Sequence, residues 1–225
     1  MKCPLRIEHT PKGVPSDYPM HDEDFDTVED LMKDLCADDA EVFPSAVTET
    51  TLFQKLSKDL STHGDSLFSP GFQAIAVARL GAARMGIKSG WLRKPLSLLY
   101  KLAARNIVKA WGIELPHTVD IGEGVRIDHQ NSIVVHGNAV IGHGCVIRQG
   151  VTIGVRSGKY CDRHRAPMLG CNVDIGAGAV IVGDIAIGHN VTIGANSVVT
   201  RDVPNDATVV GANRIVDTEA TSQFL

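Results

Sequence analysis

Aliphatic residues recur at a spacing of six through the second half of this chain. They stand at Ile121, Ile127 and Ile133, then at Ile141, Ile147 and Ile153, and after a break at Leu169, Ile175, Ile181, Ile187, Ile193 and Val199. Glycine follows the aliphatic at Gly122, Gly142, Gly154, Gly170, Gly176, Gly188 and Gly194, and a small or branched side chain comes four residues on, as at Val125, Cys145, Val151, Val173, Ala179, Val191 and Val203. A helix repeats every 3.6 residues and a strand every two, so this pattern belongs to neither. A period of six is that of a parallel β-helix, in which each hexapeptide makes one short strand and one corner and the aliphatics stack inward. With about 18 residues per coil, the stretch from Ile121 to Pro204 predicts roughly five turns, each rising by about 4.8 Å.

The pattern ahead of the ladder is different. Residues 1–20 carry little periodicity and several prolines, which predicts an extended arm. From 21 to 112 the apolar spacing is helical. Phe25, Val28, Leu31, Met32 and Leu35 predict a short helix within Asp22 to Glu41, where ten acids accompany a single base. A second helix is predicted from Thr51 to Ser61, a third from Gly71 to Gly86, and a fourth from Trp91 to Trp111 with Pro95 in its first turn. The expected organisation is therefore α+β: an arm over 1–20, a helical region over 21–112, an all-β solenoid over 113–216 and a tail over 217–225.

Two faults interrupt the ladder. The step from Ile133 to Ile141 is eight residues rather than six, which predicts a bulge or widened corner at Val135 to Asn138. The step from Ile153 to Leu169 leaves ten residues over, so 155–168 predicts a polar loop leaving the solenoid. A polar excursion from a rigid repeat is a common seat of function.

Composition narrows the classes. A net charge of −4 argues against nucleic-acid binding. Neither a membrane-spanning apolar run nor a signal-peptide pattern is visible, so a cytoplasmic protein is expected. Five cysteines without a C-x-x-C pair fit reduced thiols, and no histidine pair has zinc-site spacing, so no metal is expected. Between Ser66 and Ile113 there is no acid but eight bases, Arg79, Arg84, Lys88, Arg93, Lys94, Lys101, Arg105 and Lys109. These suit a membrane-surface face, but the favoured reading is that they neutralise the acidic first helix or flank neighbouring subunits.

The rung at Ile127 replaces its small residues with Asp128-His129, and the loop offers Asp162-Arg163-His164. The chain here resembles the bacterial serine O-acetyltransferases, through G-F-Q-A-I-A-V-A-R-L-G (71–81), I-D-H (127–129), Q-G-V-T-I-G (149–154), G-K-Y-C-D-R-H (158–164), I-G-A-G-A (175–179) and V-P-N-D-A-T-V-V-G (203–211). The resemblance spans about residues 65–216. It implies a left-handed parallel β-helix, an exception to the usual right-handed crossover, and acetyl-CoA as co-substrate. It also implies a homotrimer with active sites between neighbouring solenoids, and a place in cysteine biosynthesis.

By the same resemblance His129 is the general base that takes the proton of the acceptor hydroxyl, a task imidazole suits because it titrates near neutrality. Glu114 occupies the place of the aspartate that orients that base. Asp128 would receive a substrate ammonium, and Arg163 and His164 its carboxylate, for which a guanidinium fork is suited. Ala177, Gly178 and Ala195 would line the pantetheine groove, while His143 and His189 are expected to be ordinary corner side chains. The family's R-D-P-A carboxylate has no counterpart here, Asp65 being the nearest acid. The helical region is shorter than the family's, which puts pairing of trimers into hexamers in doubt, and the S-Q-F-L ending does not support docking to a sulfhydrylase.

Three readings stay open at this point. The first is acetyl transfer to L-serine or a related small amino acid. The second is acetyl transfer to a sugar hydroxyl in surface-polysaccharide synthesis, which the H-G-D-S-L lead-in and the G-I-E-L-P run also fit. The third is a non-catalytic solenoid scaffold, against which the retention of His129 with Arg163 and His164 speaks.

Overall fold

The structure, a computed structural model, describes residues 51–156 and 166–216. The acidic helix expected at Asp22 to Glu41 lies outside them. The other three expected helices are present: α1 (Leu52–Thr62), α2 (Pro70–Ala83), continued by a 3₁₀ turn at Arg84–Gly86, and α3 (Gly90–Trp111).

Each helix begins and ends for a local reason. Thr51 closes a capping box on α1, its N–H donating to Gln54 Oε1 at 2.8 Å while the Gln54 N–H returns to Thr51 Oγ1 at 3.4 Å. Pro70 opens α2 at a position where its missing N–H costs nothing. Gly112 ends α3 in the left-handed conformation, φ 63°, and its N–H donates to the Val108 carbonyl at 3.0 Å. Because α3 starts at Gly90, Pro95 falls inside the helix rather than in its first turn. The lost bond is tolerable because this side of α3 is exposed.

Beyond Gly112 the chain coils into a three-faced prism of parallel strands of two or three residues each. The first face stacks the strands of Ile113, Ile133, Ile153, Ile181 and Val199, and the second those of Ile121, Ile141, Leu169 and Ile187, with a last bridge to Val203. The third face stacks Ile127, Ile147, Ile175, Ile193 and Val209, then closes with an antiparallel strand, Arg214–Val216. From Ile121 to Val203 the second face counts four turns rather than the roughly five that eighteen residues per coil predicts. The difference is mainly the excursion after Ile153, whose surplus residues lengthen one coil without adding another.

The rungs fill the interior. Ile133, Ile153, Ile175 and Ile181 have no exposed surface. Coils approach closely where glycine follows the aliphatic on the second face: a methyl carbon at Gly142 would lie 2.5 Å from the Gly170 carbonyl carbon. The helices share this interior, since Ala74, Ile75, Ala78 and Ile107 belong to the same core as the first coils.

A buried ion pair rivets the helices to the solenoid. Asp59 of α1 is fully buried and receives Arg79 Nε at 2.5 Å and Nη2 at 3.1 Å. The same guanidinium donates to the carbonyls of Ile121 and Gly122 at 2.9 and 2.7 Å, and Asp59 Oδ1 accepts the Gly124 N–H at 3.3 Å. Both charges thus have their hydrogen-bonding capacity met, which a buried pair requires.

A second polar junction joins α3 to the first coil. Arg84 stacks over Tyr100, 4.4 Å from the ring centroid, and donates to His117 Nε2 at 3.3 Å, while His117 Nδ1 faces the Tyr100 hydroxyl at 3.2 Å. Burial, and then the nearby Arg84 charge, lower the His117 pKa below its ordinary 6.5. The folded protein therefore favours neutral imidazole, so this contribution to stability is complete above the ordinary pKa and is lost as pH falls below it toward the folded value. Tm should fall between pH 7.5 and pH 5, and His117→Gln should flatten part of that fall. An identical pH profile in the variant would refute the assignment.

Candidate active site

The first ladder fault is placed differently from the expectation. Ile133 pairs with Ile113 below it, but Val135 pairs with Ile153 above it, and both point inward. The surplus residues are thus taken up before Ile133, in the corner that contains Asp128-His129, and not at Val135 to Asn138. The backbone records this. His129, Asn131 and Ser132 have φ of 59°, 122° and 52°, whereas the same edge carries single left-handed residues at Gly150, Gly178 and Asn196 in later coils. Three non-glycine residues with positive φ in four positions are rare, and such clusters concentrate at functional sites.

This edge, between the third and first faces, also carries the residues expected to meet the acyl donor. A continuous hydrogen-bond column runs along it: Gly150 N–H to Asn131 O at 2.9 Å, Gly178 N–H to Gln149 O at 2.8 Å, and Asn196 N–H to Ala177 O at 2.8 Å. His129 therefore stands at the foot of a column whose upper corners are Ala177-Gly178 and Ala195. The Ala177 carbonyl is already taken by Asn196. Among the described residues the N–H groups of Ala177 and Ala195 make no hydrogen bond, and both side chains are small.

His129 is exposed and, among the described residues, has no hydrogen-bond partner. Glu114 is level with Val134 on the first face, one coil below, and within the described residues no hydrogen bond links it to His129. It borders a cavity of about 570 Å³ between α2, α3 and the first coil, with Tyr100, Ile107 and Lys109.

Asp128 is half-buried and bound by Arg126 Nη2 at 3.0 Å. Arg148 stacks beside it in the next coil and is drawn away by Asp174, on which it forms a two-point contact. That bond, more than the attraction of Asp128, raises the Arg148 pKa. Sequence reasoning missed these guanidiniums. Their signal was present, since three rungs per coil set Ile147 over Ile127 and so bring Arg148 beside Asp128.

Two further residues hold the I-D-H strand from behind. His63, at the end of α1, accepts the Ile127 N–H at Nε2 (3.1 Å) and meets the Asp59 carbonyl through Nδ1 (2.7 Å), which fixes its tautomer. Gly71 admits α2 to the same strand, because a methyl there would lie 2.5 Å from the Ile127 carbonyl oxygen. Both stand in stretches that carry the resemblance, His63 in H-G-D-S-L and Gly71 in G-F-Q-A-I-A-V-A-R-L-G, but their tasks show only across the helix–solenoid junction. His143 and His189 prove to be corner residues, accepting the N–H of Glu123 at 3.0 Å and of Cys171 at 2.9 Å. Asp65 is exposed, in the left-handed turn that ends α1.

Arg163 and His164 lie outside the described residues. The loop is described only at its roots: Val155 packs on the core, Arg156 Nη2 donates to the Thr200 carbonyl at 2.9 Å, and Ala166 and Pro167 are buried. Those roots lie on the edge between the first and second faces, a different edge from that of His129. Among the described residues no group of three His, Cys, Asp or Glu side chains is placed to hold a metal ion, and no helix is long and apolar enough to cross a membrane.

Stacked coils of this period define a hexapeptide-repeat protein, and the bacterial transferase hexapeptide (six repeats) model matches residues 166–201. Among relatives, the serine acetyltransferase of Synechococcus elongatus is 41% identical over 143 residues, which are 63% of this chain and 54% of that one, so the chain spans about half its length. A Helicobacter pylori serine acetyltransferase is 39% identical over 146 residues, 65% of this chain and 80% of that protein. The soybean serine acetyltransferase solved in complex with serine superposes with a TM-score of 0.62 at 30% identity, over 81% of this chain and 74% of that one. The chain belongs to the serine acetyltransferase family.

Proposed function

We propose that this protein transfers the acetyl group of acetyl-CoA to the hydroxyl of L-serine or a related small amino acid, directly within a ternary complex. The carrying observation is the strained corner that presents His129 at the foot of the Ala177-Gly178 and Ala195 column, in a family whose soybean member is solved with serine. In this reading the His129 imidazole takes the hydroxyl proton as the oxygen attacks the thioester carbonyl. The C–S bond breaks, and the imidazolium returns the proton to the CoA thiolate. The small residues of the column admit the pantetheine arm to the Ala177 and Ala195 N–H groups, and Asp128 receives the acceptor ammonium in exchange for its contact with Arg126. Glu114 turning toward His129 would orient the imidazole as the family's aspartate does.

The His129 edge and the root of the loop carrying Arg163 and His164 are different edges of one prism. This supports sites assembled between solenoids of a homotrimer, with the loop of one subunit reaching the His129 edge of the next. The test is release of CoA thiol from acetyl-CoA with L-serine, homoserine and a panel of sugars. Release with the amino acids is expected; release only with a sugar would overturn the acceptor assignment, and none with any acceptor would overturn the activity.

A further inference from the structure

The least satisfied surface of the described molecule is the outer side of α3. Its inner side is used: Ile107 is buried, and Tyr100 and Trp111 pack inward. Its outer side exposes Trp91 by 78%, Leu98 by 61%, Leu99 by 64% and Leu102 by 55%. Residues seven and four apart share a helix face, so Trp91, Leu98 and Leu102 form one stripe. Three residues on, at the same spacings, Lys94, Lys101 and Arg105 form the adjacent stripe. Of the bases between Ser66 and Ile113, the fold absorbs Arg79 into the Asp59 pair and Arg84 into the Tyr100 and His117 junction. Arg93, Lys94, Lys101, Arg105 and Lys109 of α3 make no ion pair among the described residues.

We propose that α3 lies on anionic phospholipid bilayers, with Trp91, Leu98 and Leu102 entering the headgroup boundary and Lys94, Lys101 and Arg105 meeting lipid phosphates. An apolar stripe bordered by bases, on a helix too polar to span, is the form of an interfacial helix. Charge decides the occupant. A second copy packed antiparallel on this stripe about a twofold axis would set bases against bases, with no acid on α3 to offset them. An anionic surface offers compensating charge to every one of them. By sequence all eight bases are alike; the structure separates Arg79 and Arg84, which serve the fold, from those of α3 that face outward. The proposal does not depend on acetyl transfer, because binding is read without substrate.

The test is co-sedimentation of the full chain with phosphatidylcholine vesicles, with and without about one third phosphatidylglycerol, alongside sedimentation velocity without lipid. Binding to the anionic vesicles alone is expected, weakening as salt is raised. Lys94→Glu with Lys101→Glu and Arg105→Glu should lower the partition coefficient by at least about a hundredfold. Leu98→Glu with Leu102→Glu should also release the protein, without changing its sedimenting mass. No binding by the unaltered chain, or binding that both variants keep, would overturn the proposal. So would a change of mass in the leucine variant, because a second copy would then be what covers the face.

Discussion

Replacing His129 by alanine should lower turnover with L-serine by about 10²–10⁴-fold, the usual worth of a general base, while leaving the affinity for CoA unchanged by calorimetry. The corner makes the choice of variant matter. At φ 59° histidine is among the better-tolerated non-glycine residues, and alanine is less so. His129→Asn keeps a residue suited to the left-handed region but removes the base, so it isolates the chemistry from the backbone. Both variants should be equally slow if His129 acts as proposed. A slow alanine variant beside a normal asparagine one would mean that the corner's conformation matters and the imidazole does not.

Replacing Arg79 by alanine should destabilise the fold by about 3–5 kcal/mol, because it strands a buried carboxylate. In a chain of this size that corresponds to a fall in Tm on the order of 10 °C. The loss should exceed that of a typical surface substitution because one guanidinium serves four acceptors: both oxygens of Asp59 and the carbonyls of Ile121 and Gly122. Replacing Asp59 by asparagine in the Arg79→Ala background should recover part of the stability, since the uncompensated charge is then gone. If the double variant melts no higher than Arg79→Ala alone, the penalty does not come from the stranded charge.

The repeat was legible because it depends on one local rule, an aliphatic every six residues, that the prism satisfies coil after coil. The three described helices were legible for the same reason, an apolar spacing that is local to each of them. What escaped was register. From spacing alone, eight residues between Ile133 and Ile141 place the surplus after Ile133, and only the pairing of Val135 with Ile153 moves it back into the His129 corner. His63, Arg79 and Gly71 escaped because each acts through a partner some forty or more residues away in sequence, on the solenoid. The candidate site was readable as residue types at Asp128 and His129, through resemblance, while its electrostatic surroundings at Arg126, Arg148 and Asp174 exist only once the coils are stacked.

The chain's reversal after Gly211 bears on how many molecules can join end to end. A parallel ladder ends in a row of unpaired N–H and C=O groups that would accept another coil from any similar chain. Here Arg214–Val216 occupies that row on the third face running the opposite way, and Asn213 donates to the Val198 carbonyl at 2.9 Å while its side chain accepts the Thr200 N–H at 2.7 Å. At this end two of the three faces are thereby covered by chain that runs against or across the ladder, so neither offers a further coil the parallel register on which the stack is built.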